Sequence, residues 1–413
     1  MSSATRHAGF LGDAASLGLG LVLAQALLLG VMPWWSRLYT PADFAVLGVW
    51  AAVAGVVSVL VTLRYETSVM LPQDDAEARR IVWLGLLVIA ALSALVLGVT
   101  LAAPRAWRTA LALDVLGPWL PAAVLSGSGS AVVALGFVWL NRRRRHAAMN
   151  AVRIAGAFVT ALAGVALGLS QSANGLLIAH FAGVAASLAV LGVLTRGALD
   201  VPPADELRRV AGEHRAAPLF LWPNAVLDVA TQQLPFVLAA SWFSVAVAGQ
   251  FNLAWRTLAL PLFLASAAIG TVFYQRFARC ADDRQAARRL LFDVWRWGAA
   301  VLVPVAGVLM VFGPELFAAL FGASWREAGR DAALLAPMLC IMAVSSATSG
   351  SLIVLGRQRW APLFGALVFV CRPLAFWYGA RRHDLQTALV LWAVFEVLII
   401  AAYNLVILRA LRR

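Results

Sequence analysis

The sequence predicts an all-α integral membrane protein of about twelve transmembrane helices. Of its 413 residues, 62% are hydrophobic and only 13% are charged, whereas soluble domains carry about 25% charged residues. The mean hydropathy is +0.83, and long apolar runs recur along the whole chain. Many of these runs approach the roughly 20 apolar residues that a helix needs to cross a bilayer. Together these observations exclude an ordinary soluble domain.

Twelve apolar runs are long enough to be spanning helices. We place them near residues 11–35, 43–63, 81–102, 118–140, 148–169, 174–195, 217–240, 247–275, 290–313, 332–355, 360–380 and 385–408. Pro223, Pro235 and Pro261 interrupt the seventh and eighth, and such breaks are tolerated at membrane depth only where protein or a watery cavity covers them. No small-residue cleavage site clearly follows the first run, so we expect a retained helix rather than a removed signal peptide.

The arginines orient these helices. With the N-terminus inside, Arg is about threefold more frequent in the inside segments than in the outside loops. This bias predicts an even number of helices, with both termini cytoplasmic. The net charge of +13 would suggest a nucleic-acid partner in a soluble protein. Here the arginines lie mostly in short loops between apolar runs, so we expect a lipid bilayer and no nucleic acid.

The chain divides into two halves of six helices. We predict an N-terminal lobe at 1–195, a cytoplasmic linker with a short surface helix at 196–216, and a C-terminal lobe at 217–413. A weak repeat supports the division, because the Asp-Asp pair at 74–75 has a counterpart at 282–283. Six helices per repeat preserve orientation, which makes the halves parallel repeats. The alternative is that any inside loop is rich in Arg and Asp.

Several charges fall within the apolar runs. Asp228, Arg256, Arg372 and Glu396 lie well inside their spans, and Arg153 lies nearer an inner end. A charge at the bilayer centre costs roughly 2.5–3.5 kcal/mol even on the mildest scale, so such residues face the bundle interior or a water-filled cavity. Each is therefore a candidate functional or structural residue.

Two interpretations of these charges stay open. Asn252 precedes Arg256 by one helical turn, and a polar stripe of this kind fits a hydrated cavity that binds an anionic substrate. Guanidinium groups suit phosphate, because their donors match its oxygens in pairs. The alternative is structural ion pairing, of Asp228 with Arg256 or of Glu396 with Arg372. Ion pairing alone would leave some of these arginines without an acidic partner, because the arginines within the spans outnumber the acids.

No catalytic constellation is recognisable in the sequence. Walker, G-x-S-x-G and H-E-x-x-H motifs are missing, and the three cysteines, Cys280, Cys340 and Cys371, show no metal-ligand spacing. We therefore expect a protein that is not an enzyme, with no cofactor and no metal.

Short motifs along the chain resemble those of the Wzx-type polysaccharide (O-antigen) flippases. These proteins belong to the multidrug/oligosaccharidyl-lipid/polysaccharide (MOP) exporter superfamily. The similar stretches are residues 38–48, 63–66, 71–77, 233–235, 248–256, 260–261, 273–274, 321–329 and 355–358. Each stretch is short, but their order and spacing are similar to the family over nearly the whole chain.

The resemblance implies two six-helix lobes around a central cavity. It implies that the protein flips an undecaprenyl-diphosphate-linked oligosaccharide to the periplasmic leaflet of the inner membrane by alternating access. Arg256 lies in one of the matching stretches, and the resemblance implies that it binds the diphosphate. Arg64 lies in another matching motif. The full set of predicted headgroup-binding residues is Arg256, Arg64, Arg153, Arg372 and Asn252, and the predicted sites for a coupling H⁺ or Na⁺ are Asp228 and Glu396.

Other functions remain as alternatives. A lipid II flippase or another MOP exporter would have the same fold, whereas the excess of deep arginines disfavours a cationic-drug antiporter. A non-transporting scaffold of a polysaccharide synthesis complex is a third possibility. Candidate protein partners are the polysaccharide polymerase and chain-length proteins.

Overall fold

The computed structural model describes residues 3–111, 113–172, 174–196, 202–280 and 283–412, without the side chains of residues 3–17, 110 and 358. These ranges contain helices and turns but no strand. The α-helices are α1 Ser3–Leu38, α2 Pro41–Leu60, α3 Asp75–Ala102, α4 Arg105–Ala110, α5 Leu120–Arg142, α6 His146–Leu169, α7 Gly175–Thr195, α8 Ala204–Glu213, α9 Trp222–Trp242, α10 Val245–Arg279, α11 Arg284–Phe321, α12 Arg326–Thr348, α13 Ser351–Val354, α14 Ala361–Arg381 and α15 Leu385–Ala410. Short segments of 3₁₀ helix lie at Tyr65–Met70, Leu113–Trp119, Ala323–Trp325 and Gln358–Trp360, and a short π-helix lies at Ala217–Leu221.

The predicted class of multi-pass helical membrane protein is confirmed. Within the described ranges, eleven segments are long and apolar enough to cross a membrane. The remaining predicted span, 217–240, corresponds to α9, a helix of 21 residues. This helix is not among the eleven apolar segments, because Asn224, Asp228, Gln232 and Gln233 lower its hydropathy.

The chain forms two compact units. The first comprises Met1–Tyr39 and Val46–Gln233, and the second comprises Thr40–Ala45 and Leu234–Arg413. The predicted linker at 196–216 falls within the first unit, and its residues 197–201 lie outside the described part of the chain. The six-plus-six boundary therefore stays a prediction.

Close approach of backbones organises the first unit. A Cβ added to Gly127 of α5 would lie 2.6 Å from the carbonyl oxygen of Ala54 in α2. Small residues at such points let helices pack tightly where lipid provides no hydrophobic drive for association. The buried core beside this contact includes Val57, Val61 and Leu135.

In the second unit, the side chain of Gln250 in α10 is hydrogen-bonded to the backbone at the turn between α11 and α12. Its Nε2 donates a hydrogen bond to the carbonyl oxygen of Ser324 at 2.7 Å, and its Oε1 accepts from the backbone N–H of Ala328 at 3.0 Å. Both polar ends of the partly buried carboxamide are thereby satisfied inside the unit.

The Asp-rich motifs at 74–75 and 282–283 begin helices. Asp74 accepts a hydrogen bond from the backbone N–H of Ala76 at the start of α3, and Asp283 accepts from Gln285 and Ala286 at the start of α11. Asp side chains are favoured N-caps because they satisfy the free N–H groups of the first turn. Asp282 lies outside the described residues.

Candidate functional site

Arg372 and Glu396 form a buried ion pair between α14 and α15. The Nη2 of Arg372 donates to Oε1 of Glu396 at 2.9 Å, and its Nε donates to Oε2 at 3.3 Å. The two residues are only 8% and 5% exposed. The sequence left two interpretations of these charges open, an anion-binding cavity and structural ion pairing. For Arg372 and Glu396, the structure contains the ion pair.

Aromatic rings enclose this pair. Trp392 donates its indole N–H to Oε2 of Glu396 at 3.0 Å, and the guanidinium of Arg372 lies 5.5 Å from the Trp392 ring centroid. Trp255 of α10 stacks on Trp392 with the ring centroids 5.1 Å apart. The pair is thus satisfied by hydrogen bonds and a cation–π contact as well as by charge, which is the condition for a stable buried ion pair.

Arg256 follows Trp255 on α10 and differs from Arg372 in its surroundings. Arg256 is partly buried, yet no described carboxylate of the second unit lies within ion-pair distance of its guanidinium. Asn252, one turn earlier, is 2% exposed, and its carboxamide oxygen has no hydrogen-bond partner among the described residues. The two residues therefore keep unused hydrogen-bonding capacity on the same helix.

Arg64 and Arg153 lie in the first unit on separate elements. Arg64 follows the end of α2 in the left-handed conformation (φ 61°), and its Nη1 lies 3.3 Å from Oε1 of Glu66. Burial raises the pKa of Glu66 above its ordinary value, against smaller opposing effects that include the charge of Arg64. Arg153 of α6 is half-buried with its guanidinium 4.7 Å from the ring centroid of Phe137. The structure therefore does not bring these two predicted site residues together.

Asp228 lies on a polar face of α9. Its Oδ2 accepts a hydrogen bond from Nε2 of Gln232 at 3.0 Å, and both residues are exposed, as is Asn224 one turn earlier. These three side chains therefore form a polar stripe at i, i+4 and i+8 on the helix surface. An exposed carboxylate within a membrane protein requires water or protein around it, not lipid.

Asp331 is a buried acid that the sequence interpretation missed. It lies just before the predicted span 332–355, but in the structure it belongs to the second turn of α12 and is only 4% exposed. No hydrogen bond or ion pair joins its carboxylate to any described residue. The i,i+4 spacing of Glu327 and Asp331 could have indicated that both lie on one helical face.

Asp331 lines a cavity of about 570 Å³ in the second unit. The other polar lining residues are Ser244, Gln250, Glu327, His383, Asp384 and Gln386. Asp384 caps α15 by accepting hydrogen bonds from the N–H groups of Gln386 and Thr387, and its bonds to Thr387 hold the pKa of Asp384 below the ordinary value. A cavity with three carboxylates, one of them without a hydrogen-bond donor, is suited to a cation or a proton.

Comparisons with known proteins agree with this architecture. Residues 35–330 match a family described as "Polysaccharide biosynthesis protein". No curated protein matches the sequence of the chain.

Several solved structures share the fold. An inward-facing multidrug resistance MATE family transporter of the MOP superfamily is 14% identical, with a TM-score of 0.72 over 96% of this chain and 98% of that one. The lipid II flippase MurJ, in an inward closed conformation, is 9% identical, with a TM-score of 0.74 over 94% and 87%. A MOP superfamily transporter from Pyrococcus furiosus, described as having a binding pocket of reverse polarity, is 12% identical, with a TM-score of 0.59 over 97% and 96%.

The family match covers more than half of the chain, and the structural matches cover nearly all of it. The family match therefore confirms the predicted link to polysaccharide biosynthesis, and the structural matches confirm the predicted fold. The chain belongs to the polysaccharide biosynthesis protein family and has the fold of MOP-superfamily transporters.

Proposed function

We propose that this protein flips an undecaprenyl-diphosphate-linked oligosaccharide from the cytoplasmic to the periplasmic leaflet of a bacterial inner membrane by alternating access. The observation that carries the proposal is the state of Arg256, a partly buried guanidinium without an acid at ion-pair distance among the described residues of the second unit. A diphosphate would supply the missing negative charge, and its oxygens would match the donors of the guanidinium. The positive-inside bias supports cytoplasmic termini.

Asn252 is the second residue that we assign to the headgroup. Its side-chain N–H₂ can donate to a phosphate or sugar oxygen while its unsatisfied oxygen accepts from a sugar hydroxyl. Arg64 and Arg153 remain secondary candidates, because each already has a partner in the first unit. We assign Arg372 and Glu396 a structural role, because each neutralises the other.

We further propose that Asp331 carries the coupling cation or proton. A carboxylate that is almost wholly buried without a hydrogen-bond donor is costly, so it gains from taking up a proton or a cation. Asp228 is the alternative, with its carboxylate already held by Gln232. Glu396 is less suited, because protonation would cost it the bonds to Arg372.

The fold of MurJ makes lipid II the nearest alternative substrate. The test is transport by the purified protein in liposomes of undecaprenyl-diphosphate oligosaccharides and of lipid II, each followed by a reagent that reacts only with the outer leaflet. Faster transport of the oligosaccharide supports the proposal, and faster transport of lipid II contradicts the assigned substrate. No transport of either, by folded protein across a pH and Na⁺ gradient, would favour a scaffold.

A further inference from the structure

The surface helix α8 is anchored to α3 within the first unit. Val210 of α8 is fully buried in the cluster that also contains Ala78 and Ile81 of α3. Arg80 of α3 forms an ion pair with Glu206 of α8. The C-terminal end of α8 is therefore held beside the first turns of α3.

Three potential metal ligands meet at this junction. Glu77 of α3, Glu213 at the end of α8 and His214 directly after it each offer one ligand atom, and these atoms lie within 4.8 Å of one another. Glu77 and His214 are half-buried, and Glu213 is exposed. The Nε2 atom of His214 is shielded from solvent and has no hydrogen-bond partner among the described residues.

We propose that Glu77, Glu213 and His214 form a binding site for a divalent transition metal, with Zn²⁺ as the best fit. One imidazole and two carboxylates are a ligand set that zinc accepts, with a water as fourth ligand. The buried, unsatisfied nitrogen of His214 is the observation that points to a ligand, because buried polar atoms are otherwise hydrogen-bonded. No local motif in the sequence indicated this site, since Glu77 is far from the other two residues along the chain.

The spacing requires only small side-chain movements. Zinc bonds to nitrogen and oxygen are about 2.0–2.2 Å long, so ligand atoms at tetrahedral angles lie about 3.3–3.6 Å apart. The three atoms, within 4.8 Å of one another, would have to approach by up to about 1.5 Å to meet this spacing, which rotation of the glutamate side chains can supply. The metal would then fasten the end of α8 to the start of α3.

Arg209 competes with the metal for one ligand. Its Nη1 donates to both carboxylate oxygens of Glu213, at 2.8 and 3.0 Å. The pair is solvent-exposed, with the two side chains 50% and 45% accessible, and exposed pairs of this kind are weak. Removing Arg209 should therefore release Glu213 and tighten metal binding, a gain that a site elsewhere on the chain would not produce.

The test is titration of the purified, tag-free full chain with Zn²⁺ by calorimetry, with Co²⁺ absorption as a second readout. We expect one zinc per chain, with the Kd raised at least about tenfold in His214→Ala and Glu77→Gln, because even the loss of a residue that only holds a ligand in place weakens metal binding by about this factor. Arg209→Ala should lower the Kd. Glu206→Gln is the matched control, because it disturbs the same helix interface without removing a ligand, and it should bind zinc as the wild type does.

Three results would overturn the proposal. The first is wild-type protein that binds no zinc while remaining monodisperse. The second is zinc binding with the same Kd in His214→Ala and in the wild type, and the third is a Co²⁺ spectrum unchanged by Glu77→Gln. None of these results depends on transport activity, so the proposal fails or stands independently of the proposed flippase function.

Discussion

Arg372 of α14 and Glu396 of α15 are joined by two N–H···O bonds of 2.9 and 3.3 Å inside the second unit. The indole of Trp392 donates a third bond to the same carboxylate. The arrangement fixes the two helices to each other and neutralises a cation that would otherwise be buried alone.

Substitution of the two residues of this ion pair should lower the free energy of unfolding by different amounts. Glu396→Leu should destabilise the protein by about 3–5 kcal/mol, because it strands a guanidinium that cannot lose its proton. Arg372→Leu should cost less, because the remaining carboxyl group can take up a proton. The double variant should recover most of the loss. Denaturant unfolding in detergent measures all three, and equal losses in the two single variants would contradict the interpretation.

Asp331→Asn should raise the free energy of unfolding and weaken the coupling of transport to an ion gradient. The substitution removes a buried carboxylate that lies near Glu327 and Asp384 in the cavity. Transport should then lose most of its dependence on an imposed pH or Na⁺ gradient. Glu315→Gln is the control, because this acid is exposed and paired with Arg326. A gradient dependence retained in Asp331→Asn would remove this residue from the coupling mechanism.

Glu66 should make the first unit more stable at acid pH than at neutral pH. Burial raises the pKa of Glu66 in the folded protein. The contribution of protonated Glu66 to the free energy of unfolding is therefore fully present below the pKa that Glu66 has in the unfolded chain. This contribution is lost as the pH rises through the higher pKa that Glu66 has in the folded protein. Glu66→Gln should stabilise the protein at neutral pH and have no effect below about pH 4. Thermal unfolding of the wild type and Glu66→Gln across this pH range checks the predicted sign of the effect. A stabilisation by Glu66→Gln that persists at low pH would contradict burial of the carboxyl group as its cause.

Gly249 should not tolerate a side chain. A Cβ at this position would lie 1.7 Å from the carbonyl oxygen of Pro41, within the second unit. Gly249→Ala should therefore cost about 1–3 kcal/mol through overpacking. Gly307→Ala is the matched control, because no atom lies within 4 Å of a Cβ added to this helical glycine, and it should gain up to about 1 kcal/mol from helix propensity. Similar melting temperatures for the two variants would contradict the close approach.

The sequence was sufficient to predict the membrane class, because apolar runs of spanning length leave few alternatives. The ion pair of Arg372 and Glu396 was one of two interpretations, and only the structure could decide between them, because residues on two helices need known rotations to meet. Asp331 fell just outside the predicted span 332–355, because hydropathy locates the apolar middle of a helix better than its polar first turns. The Glu77–His214 junction could not be predicted, since the sequence does not fix how α8 packs on α3.

Transport by Arg256 variants tests the central claim most directly. Purified wild type, Arg256→Ala, Arg256→Lys and the control Arg296→Ala, whose arginine is exposed and paired with Asp293, are compared in liposomes with an undecaprenyl-diphosphate oligosaccharide. The rate should fall at least about tenfold in Arg256→Ala, because a charge-assisted hydrogen bond contributes about 1.5–3 kcal/mol. It should fall less in Arg256→Lys and not at all in Arg296→Ala. Wild-type transport by a folded Arg256→Ala variant would contradict the assignment of this residue to the diphosphate.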